Sequence, residues 1–410
     1  MMEYNKLIEY TFRGSVLIYG LLAAFYFLSK PFGLGDESQF IADLQLLEEQ
    51  GYYSAVAKGV SIPYMILSYP FNSILSTGLA LRVTNLVMLF ALAYYFYRRR
   101  VLLSSNFFGL LLFYISSYGY FYLGTNDAFF TCCLAVVFVE TSRIKDAEAN
   151  ASPLLLLIAM ISAVFTRELI LVYLPACLLA LWYVRDSLLR HKKKLYWAVA
   201  LVVLLLALNY PSLKENGKLA YDQKLPPTGT VASWPQRQYL AQLMVNQGAL
   251  SNYNHPSWEQ TDAYLGKYGE NALPRTVSEA MLQDPAFTIK EFVKDFIYVF
   301  QYTTRSVGLI YFLILGFALI ELWKKRSLAA VNYIPLALLG TISVFALIII
   351  SFVELRWLAP LAIGSLFYFE RQLMKGNIPS FWKQLNQGLI VLLCVYGSYN
   401  MFIKLAWIGA

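Results

Sequence analysis

Apolar runs of helical length recur from about residue 12 to residue 407, most of them separated by short polar breaks. Helices placed on these runs fall near 12–29, 80–97, 106–122, 128–142, 153–166, 168–184, 195–210, 307–323, 330–350, 357–370 and 388–407. The stretch 60–77, "VSIPYMILSYPFNSILST", is equally apolar, but Pro63 and Pro70 interrupt it. A full crossing there would move every later loop to the other side, so it reads as a surface or re-entrant helix. Two longer polar intervals stand out, 30–79 and 211–306. The first holds "GLGDESQFIADLQLLEEQGYY", where Phe40, Ile41, Leu44 and Leu47 at helical spacing predict a short amphipathic helix headed by Asp36 and Glu37. The second has turn-rich pieces such as "KLPPTGTVASWPQRQ" and "SNYNHPSWEQ". It ends in "SEAMLQDPAFTIKEFVKDFIYVF", whose last part has the spacing of an amphipathic helix lying on a membrane surface.

Composition turns this pattern into a class. Over 410 residues, 58% hydrophobic and only 14% charged describes an all-α polytopic membrane protein rather than a soluble core. Its organisation reads as a module over 1–210 that includes the loop 30–79, a loop region over 211–306, and C-terminal helices over 307–410. The first run is followed by "SKPFGLGDE" and not by a small-residue cleavage site, so it reads as a retained helix.

The net charge of +8 matters less than where the cations fall. Arg98-Arg99-Arg100, Arg143/Lys145, Arg185 through Lys194, Lys324-Lys325-Arg326 and Arg371/Lys375/Lys383 follow segments running inward. They place the N-terminus in the cytoplasm and both long loops outside, with eleven spans putting the C-terminus outside too. Nucleic acid is not needed to explain them. Cys132, Cys133, Cys177 and Cys394 lie in apolar runs without metal-site spacing and read as small packing residues. The only histidines are His191 and His255, which excludes a histidine metal cluster. The Asn150-Ala151-Ser152 sequon falls in an inner loop and reads as chance.

The ionisable residues near the outer helix ends carry the candidate chemistry. Asp36 with Gln39 three residues on fits a helix capping box, which accounts for Asp36 without catalysis. Asp127 in "YLGTNDAFF", Arg167-Glu168 in "AVFTRELIL" and Glu354/Arg356 in "SFVELRWLAP" also lie at outer ends, with Arg82 opening the second span and Lys58 ending the acidic loop. Each has a structural reading: Asp127 caps a helix, Arg167 and Glu168 knit helices, Arg356 snorkels. The inner ends carry mostly generic Lys and Arg anchors. Ionisable groups close to lipid are costly, and a one-sided set of acids and bases points to a site at the outer surface.

At these residues the chain resembles the GT-C superfamily of polytopic glycosyltransferases, which includes protein O-mannosyltransferases and the aminoarabinose transferases that modify lipid A. The resemblance rests on "GDESQFIADLQLLEEQGYY", "LALRVTNLVMLFALAYYFYRRR", "GTNDAFF" and "ELRWLAP", in that order. It implies a GT-C fold of about eleven transmembrane helices in a plasma membrane, a bacterial inner membrane by analogy, with the active site on the outer, periplasmic face. It implies that Asp36 is the catalytic base with Glu37 as neighbour or substitute, that Asp127 shapes the acceptor or metal side together with Glu168, and that Lys58, Arg82, Arg167 and Arg356 hold the phosphate of the donor. Lys58 departs from the family pattern, since the expected Tyr-Pro-Pro is present only as "SIPY". The partners implied are a polyprenyl-phosphate sugar, a lipid, glycan or protein acceptor, and membrane lipids. A cofactor is left open by the resemblance: Asp36, Glu37 and Asp127 would either hold a divalent cation such as Mg or Mn or work without one.

The residue types agree with that chemistry. Transfer from a polyprenyl phosphate needs a carboxylate to take the acceptor proton and cations to stabilise the departing phosphate. A single inverting displacement needs no covalent nucleophile, unlike the two-carboxylate arrangement of most glycosidases. Two other classes fit less well. An O-antigen ligase or polymerase would depend on Arg237 and His255 in the long loop, and a lipid or sugar transporter would carry its polar groups near mid-membrane.

Overall fold

The computed structural model describes residues 2–99, 104–148, 150–221, 227–251, 254–326, 332–348 and 354–408. Arg100, the ends of the expected 330–350 segment, the first three residues of "SFVELRWLAP" and parts of both turn-rich stretches lie outside them. The described residues form α-helices and short 3-10 turns, with no strand among them.

The helices are α1 (Met2–Leu28), α2 (Glu37–Ala57), α3 (Ile62–Asn72), α4 (Thr77–Arg98), α5 (Ser105–Tyr118), α6 (Asp127–Lys145), α7 (Pro153–Thr166), α8 (Leu174–Arg190) and α9 (Lys192–Leu208). They continue with α10 (Tyr210–Asn216), α11 (Trp234–Asn246), α12 (Trp258–Tyr268), α13 (Val277–Gln283), α14 (Pro285–Val307), α15 (Ile310–Lys325), α16 (Tyr333–Leu347), α17 (Ala359–Met374) and α18 (Ser380–Ile408). Each expected apolar segment is helical over most of its described length. Fewer are long enough to cross a bilayer unaided. Lys6–Leu28, Thr77–Arg98 and Ser380–Ala406 qualify by length and composition. Two bent pairs, Lys194–Leu208 with Tyr210–Asn216 (56°) and Pro285–Val307 with Ile310–Lys325 (117°), raise the number of candidates to five if each counts as one. The 14 residues of α7 rise only about 21 Å against a hydrocarbon core of about 30 Å. The long apolar helices make this chain consistent with a membrane protein.

The segment 60–77 forms α3, a helix of 11 residues with Pro70 inside and Pro63 in its first turn, where the missing N–H costs nothing. At about 16 Å it is too short to span. The expected amphipathic helix is α2, longer than its apolar spacing suggested and kinked at Gly51, whose φ of 76° is open to glycine at little cost.

The chain divides into two compact units. One comprises Met1–Asp222, Thr303–Leu338 and Leu358–Ala410; the other comprises Gln223–Tyr302 and Leu339–Trp357. The second therefore begins later than the loop region drawn at 211–306 and takes in a distant segment. In the first unit α1 packs along α18 and α5, α6 is sheathed by α7, α17, α8 and α4, and α2 lies on α10 and α4. In the second, Ala232, Tyr239, Leu240, Leu265, Leu273 and Ala280 form a core of their own. The part of α14 in this unit turns its polar stripe inward, with Thr288, Glu291 and Asp295 buried, and leaves Ile289, Val293 and Ile297 exposed.

Candidate functional site

The site begins with Arg82, in the second turn of α4 and 2% exposed. Its Nε and Nη2 donate to the two carboxylate oxygens of Glu37 at 2.8 Å each. The remaining N–H groups go to the carbonyls of Leu28 (3.2 Å), Lys30 (2.8 Å) and Pro31 (2.9 Å), with the Phe32 ring 4.4 Å from the guanidinium. All five donors of the fork are thus committed. Glu37, 1% exposed, accepts from Arg82 twice and from the backbone N–H groups of Gly33 (2.9 Å) and Gly124 (2.8 Å). Four donors meet the roughly four lone-pair sites of a carboxylate. A Cβ on Gly124 would lie 2.6 Å from the Leu81 Cβ and 3.1 Å from a Glu37 oxygen, so only glycine lets that N–H come so close.

Burial alone would raise the Glu37 pKa, but the Arg82 bonds and the two backbone N–H groups outweigh it and hold the carboxyl below its usual range. Glu37 is therefore ionised and saturated, which suits a clamp and not a base. Arg82 likewise has no N–H left for an incoming phosphate in this structure. The role expected of each changes, because a bidentate buried pair spends what catalysis would need.

Asp36 sits beside this clamp, half-buried, at the N-cap of α2. Its φ and ψ of −68° and −19° are helical, and its side chain makes no capping hydrogen bond. The expected capping box with Gln39 is not formed, since capping needs an extended N-cap backbone; the Gln39 N–H bonds instead to the Asp36 carbonyl at 3.1 Å.

A second, part-buried ion pair lies on the same rim. Asp127 is the first residue of α6, with Asn126 at the cap, so it does not itself cap the helix. It accepts from Thr125 Oγ1 at 3.0 Å and is ion-paired with Arg167, which follows the C-terminus of α7 in extended conformation. The Thr166 carbonyl accepts from Ser61 Oγ (2.9 Å) and Asn126 Nδ2 (3.4 Å), and Asn85 Nδ2 reaches the Thr125 carbonyl (2.8 Å). A continuous stitch thus runs from Arg82 through Glu37, Gly124, Asp127 and Arg167 to Ser61. Lys58, three residues before Ser61, is exposed and donates to Gln50 at 2.7 Å. Glu168 is exposed, and its charge adds to burial in pushing the Tyr221 hydroxyl pKa up. Arg356 pairs with Glu354 in the other unit.

A divalent ion needs several oxygen ligands. Among the described residues no group of three or more His, Cys, Asp or Glu side chains comes together. The Glu37 oxygens face four donors and the Asp127 oxygens face a hydroxyl and a guanidinium. These two carboxylates, already met by N–H and O–H donors, do not fit a divalent cation.

The opposite end of α6 corrects a further expectation. Glu140 is fully buried and accepts from Arg143 Nη1 (2.8 Å), Tyr95 Oη (2.7 Å) and the Ser152 N–H (2.6 Å). Arg143 continues to Glu148 (2.7 Å), and Arg371 joins Glu148 and Asp146 at 2.7 Å each. Arg143 is a buried structural partner of Glu140, and Arg371 extends the network to the surface through Glu148 and Asp146. The signal was in the sequence: "ETSR" at 140–143 puts an acid and a base at helical spacing inside an apolar run. No family model, curated protein or solved structure matches this chain.

Proposed function

We propose that the protein is a GT-C-type integral membrane glycosyltransferase, with about eleven spans, that moves a sugar from a polyprenyl-phosphate donor to an acceptor hydroxyl on the outer face of a plasma membrane. The observation that carries this reading is the place of Asp36, directly before the saturated Glu37–Arg82 clamp and on the rim that also carries Arg167 and the Lys58 loop. The exposed apolar stripe of α14 supports an outer surface helix.

In this mechanism the acceptor oxygen attacks the anomeric carbon while the sugar–phosphate C–O bond breaks, its electron pair leaving on the phosphate oxygen. Asp36 takes the acceptor proton. Lys58 and Arg167 stabilise the charge growing on the phosphate, and Asp127 fixes the Arg167 guanidinium. Glu37 and Arg82 act as positioning residues that fix the backbone on both sides of Asp36.

The test is transfer of radiolabelled sugar by the purified chain in nanodiscs supplied with polyprenyl-phosphate sugars. Asp36→Asn should lower turnover by about 10²–10⁴-fold with folding unchanged. Near-normal turnover in that variant would remove Asp36 as the base. A ligase using a diphosphate-linked glycan is favoured instead if Arg237→Ala and His255→Ala abolish transfer while Asp36→Asn does not; both residues lie against Trp234, which gives that reading its footing.

A further inference from the structure

The second unit contains a repeated local device. "SWPQ" at 233–236 and "SWEQ" at 257–260 each start a helix with a complete capping box and place a tryptophan at its first position. Ser233 N–H donates to Gln236 Oε1 and Ser257 N–H to Gln260 Oε1, both at 2.8 Å, while each serine Oγ accepts from the glutamine N–H. The first box is anchored further. Gln236 Nε2 reaches the carbonyls of Leu273 (3.2 Å) and Glu270 (3.3 Å), Ser233 Oγ that of Arg275 (3.2 Å), and Ala232 N–H donates to Asp262 (2.8 Å). The capping boxes spend the helix N-termini on rigidity, so what the motif presents is side chains.

Those side chains converge. The Trp234 and Trp258 ring centroids are 6.1 Å apart, and the Arg237 guanidinium lies 5.4 Å from one and 4.8 Å from the other. Arg237 Nε donates to the Pro256 carbonyl at 2.7 Å, and its Nη groups make no hydrogen bond among the described residues. His255 meets Trp234 edge-on at 6.1 Å, and exposed Glu259 stands in the first turn of α12. Trp258 packs against the core of the unit, whereas Trp234 keeps 42% of its surface exposed.

The geometry points to a carbohydrate-binding subsite here, in which Trp234 stacks on the C–H face of a pyranose ring and Arg237 and Glu259 hydrogen-bond its hydroxyls. A tryptophan face is apolar and electron-rich and matches the weakly positive axial C–H surface of a pyranose. A charged donor and a charged acceptor beside it serve the hydroxyls, which both donate and accept. A platform tied down before binding loses little entropy on capture. The subsite gives the proposed transferase a glycan part to its acceptor. It rests on that reading for its place in a reaction, not for the binding.

The full chain in nanodiscs is presented to a panel of biotinylated oligosaccharides covering neutral hexose, amino-sugar and uronic-acid chains. At least one should bind; Trp234→Ala should weaken it about tenfold or more at unchanged melting temperature, and Trp234→Phe should retain most of the affinity. No binding above empty nanodiscs, or binding indifferent to Trp234→Ala, overturns the subsite. So does quenching of the Trp234 emission, taken as wild type minus Trp234→Phe, by brominated phospholipids, which would make it a membrane anchor. If transfer proceeds in Trp234→Ala and oligosaccharide binding is indifferent to that change, the subsite falls and the proposed function stands. If oligosaccharides bind through Trp234 in a chain that transfers no sugar, the reverse holds.

Discussion

Glu37 in the first unit and Asp295 in the second are both nearly inaccessible acids on helices, and their surroundings are opposite. Glu37 receives four donors, two of them from a guanidinium that is itself fully used, and its pKa is lowered. Asp295 Oδ2 finds no hydrogen-bond partner among the described residues, and burial, with a smaller push from Glu291 against the pull of Lys294, raises its pKa to about 7. One turn away Glu291 is served by Asn246 Nδ2 (2.7 Å) and Lys294 Nζ (2.5 Å). Burial is thus common to both acids, and the number of donors decides whether it holds a charge or expels it. The first acid is a fixed structural charge beside the proposed base. The second is a proton-binding weak point in the second unit.

The strongest way to break this contrast is to remove one member of the saturated pair. Arg82→Ala leaves the Glu37 carboxylate buried without its main partner and should cost about 3–5 kcal/mol, while the double variant Glu37→Gln/Arg82→Met recovers much of it. Because Cys133, Cys177 and Cys394 are buried, thermal unfolding followed with a thiol-reactive dye reads both. Equal stability of the single and double variants would deny that the uncompensated charge is what costs.

Gly124→Ala comes next. Its Cβ meets the Leu81 Cβ and a Glu37 oxygen, and the same assay should show a loss of about 1–3 kcal/mol.

The pH responses of the two regions should then diverge. Glu37 has a lowered folded pKa, so its contribution is present above the ordinary carboxylate range and drains as pH falls through the folded value. Asp295 has a raised one, so its contribution is complete below the ordinary value of 3.8 and is lost as pH rises to about 7. Asp295→Asn should accordingly stabilise the protein at pH 8 by about 1–3 kcal/mol and much less at pH 5. A pH-independent effect would show that desolvation of the charge is not the cause. The smallest effect expected is from Ser257→Ala, which removes one capping bond and should cost about 1 kcal/mol on melting while loosening Trp258.

Much of the candidate rim was legible residue by residue. Asp36, Glu37, Asp127, Arg82 and Arg167 stand out in sequence because charged groups at the ends of apolar runs need a reason to be there. What each does was not legible. The partners of Glu37 lie 45 residues away in Arg82 and 87 away at the Gly124 backbone, and no local pattern encodes a backbone N–H at that distance. Local rules even misled at Asp36, where Asp-x-x-Gln matches a capping box but the backbone adopts a helical ψ. In sequence Arg143 and Arg371 read as inner anchors, because the positive-inside pattern accounts for them without reference to what they touch. The two tryptophan boxes lie in stretches that read in sequence only as turn-rich, and nothing local encodes their convergence on Arg237.

Helical character, the positions of the apolar helices and the gathering of ionisable residues near certain helix ends are all legible in the chain's residues alone. These follow from hydrophobic periodicity, proline placement and the cost of charge near lipid, all of which act over one or two turns. Long-range packing alone set how the Glu37 carboxylate is used, because it delivers four donors from residues distant in sequence and makes that acid a clamp.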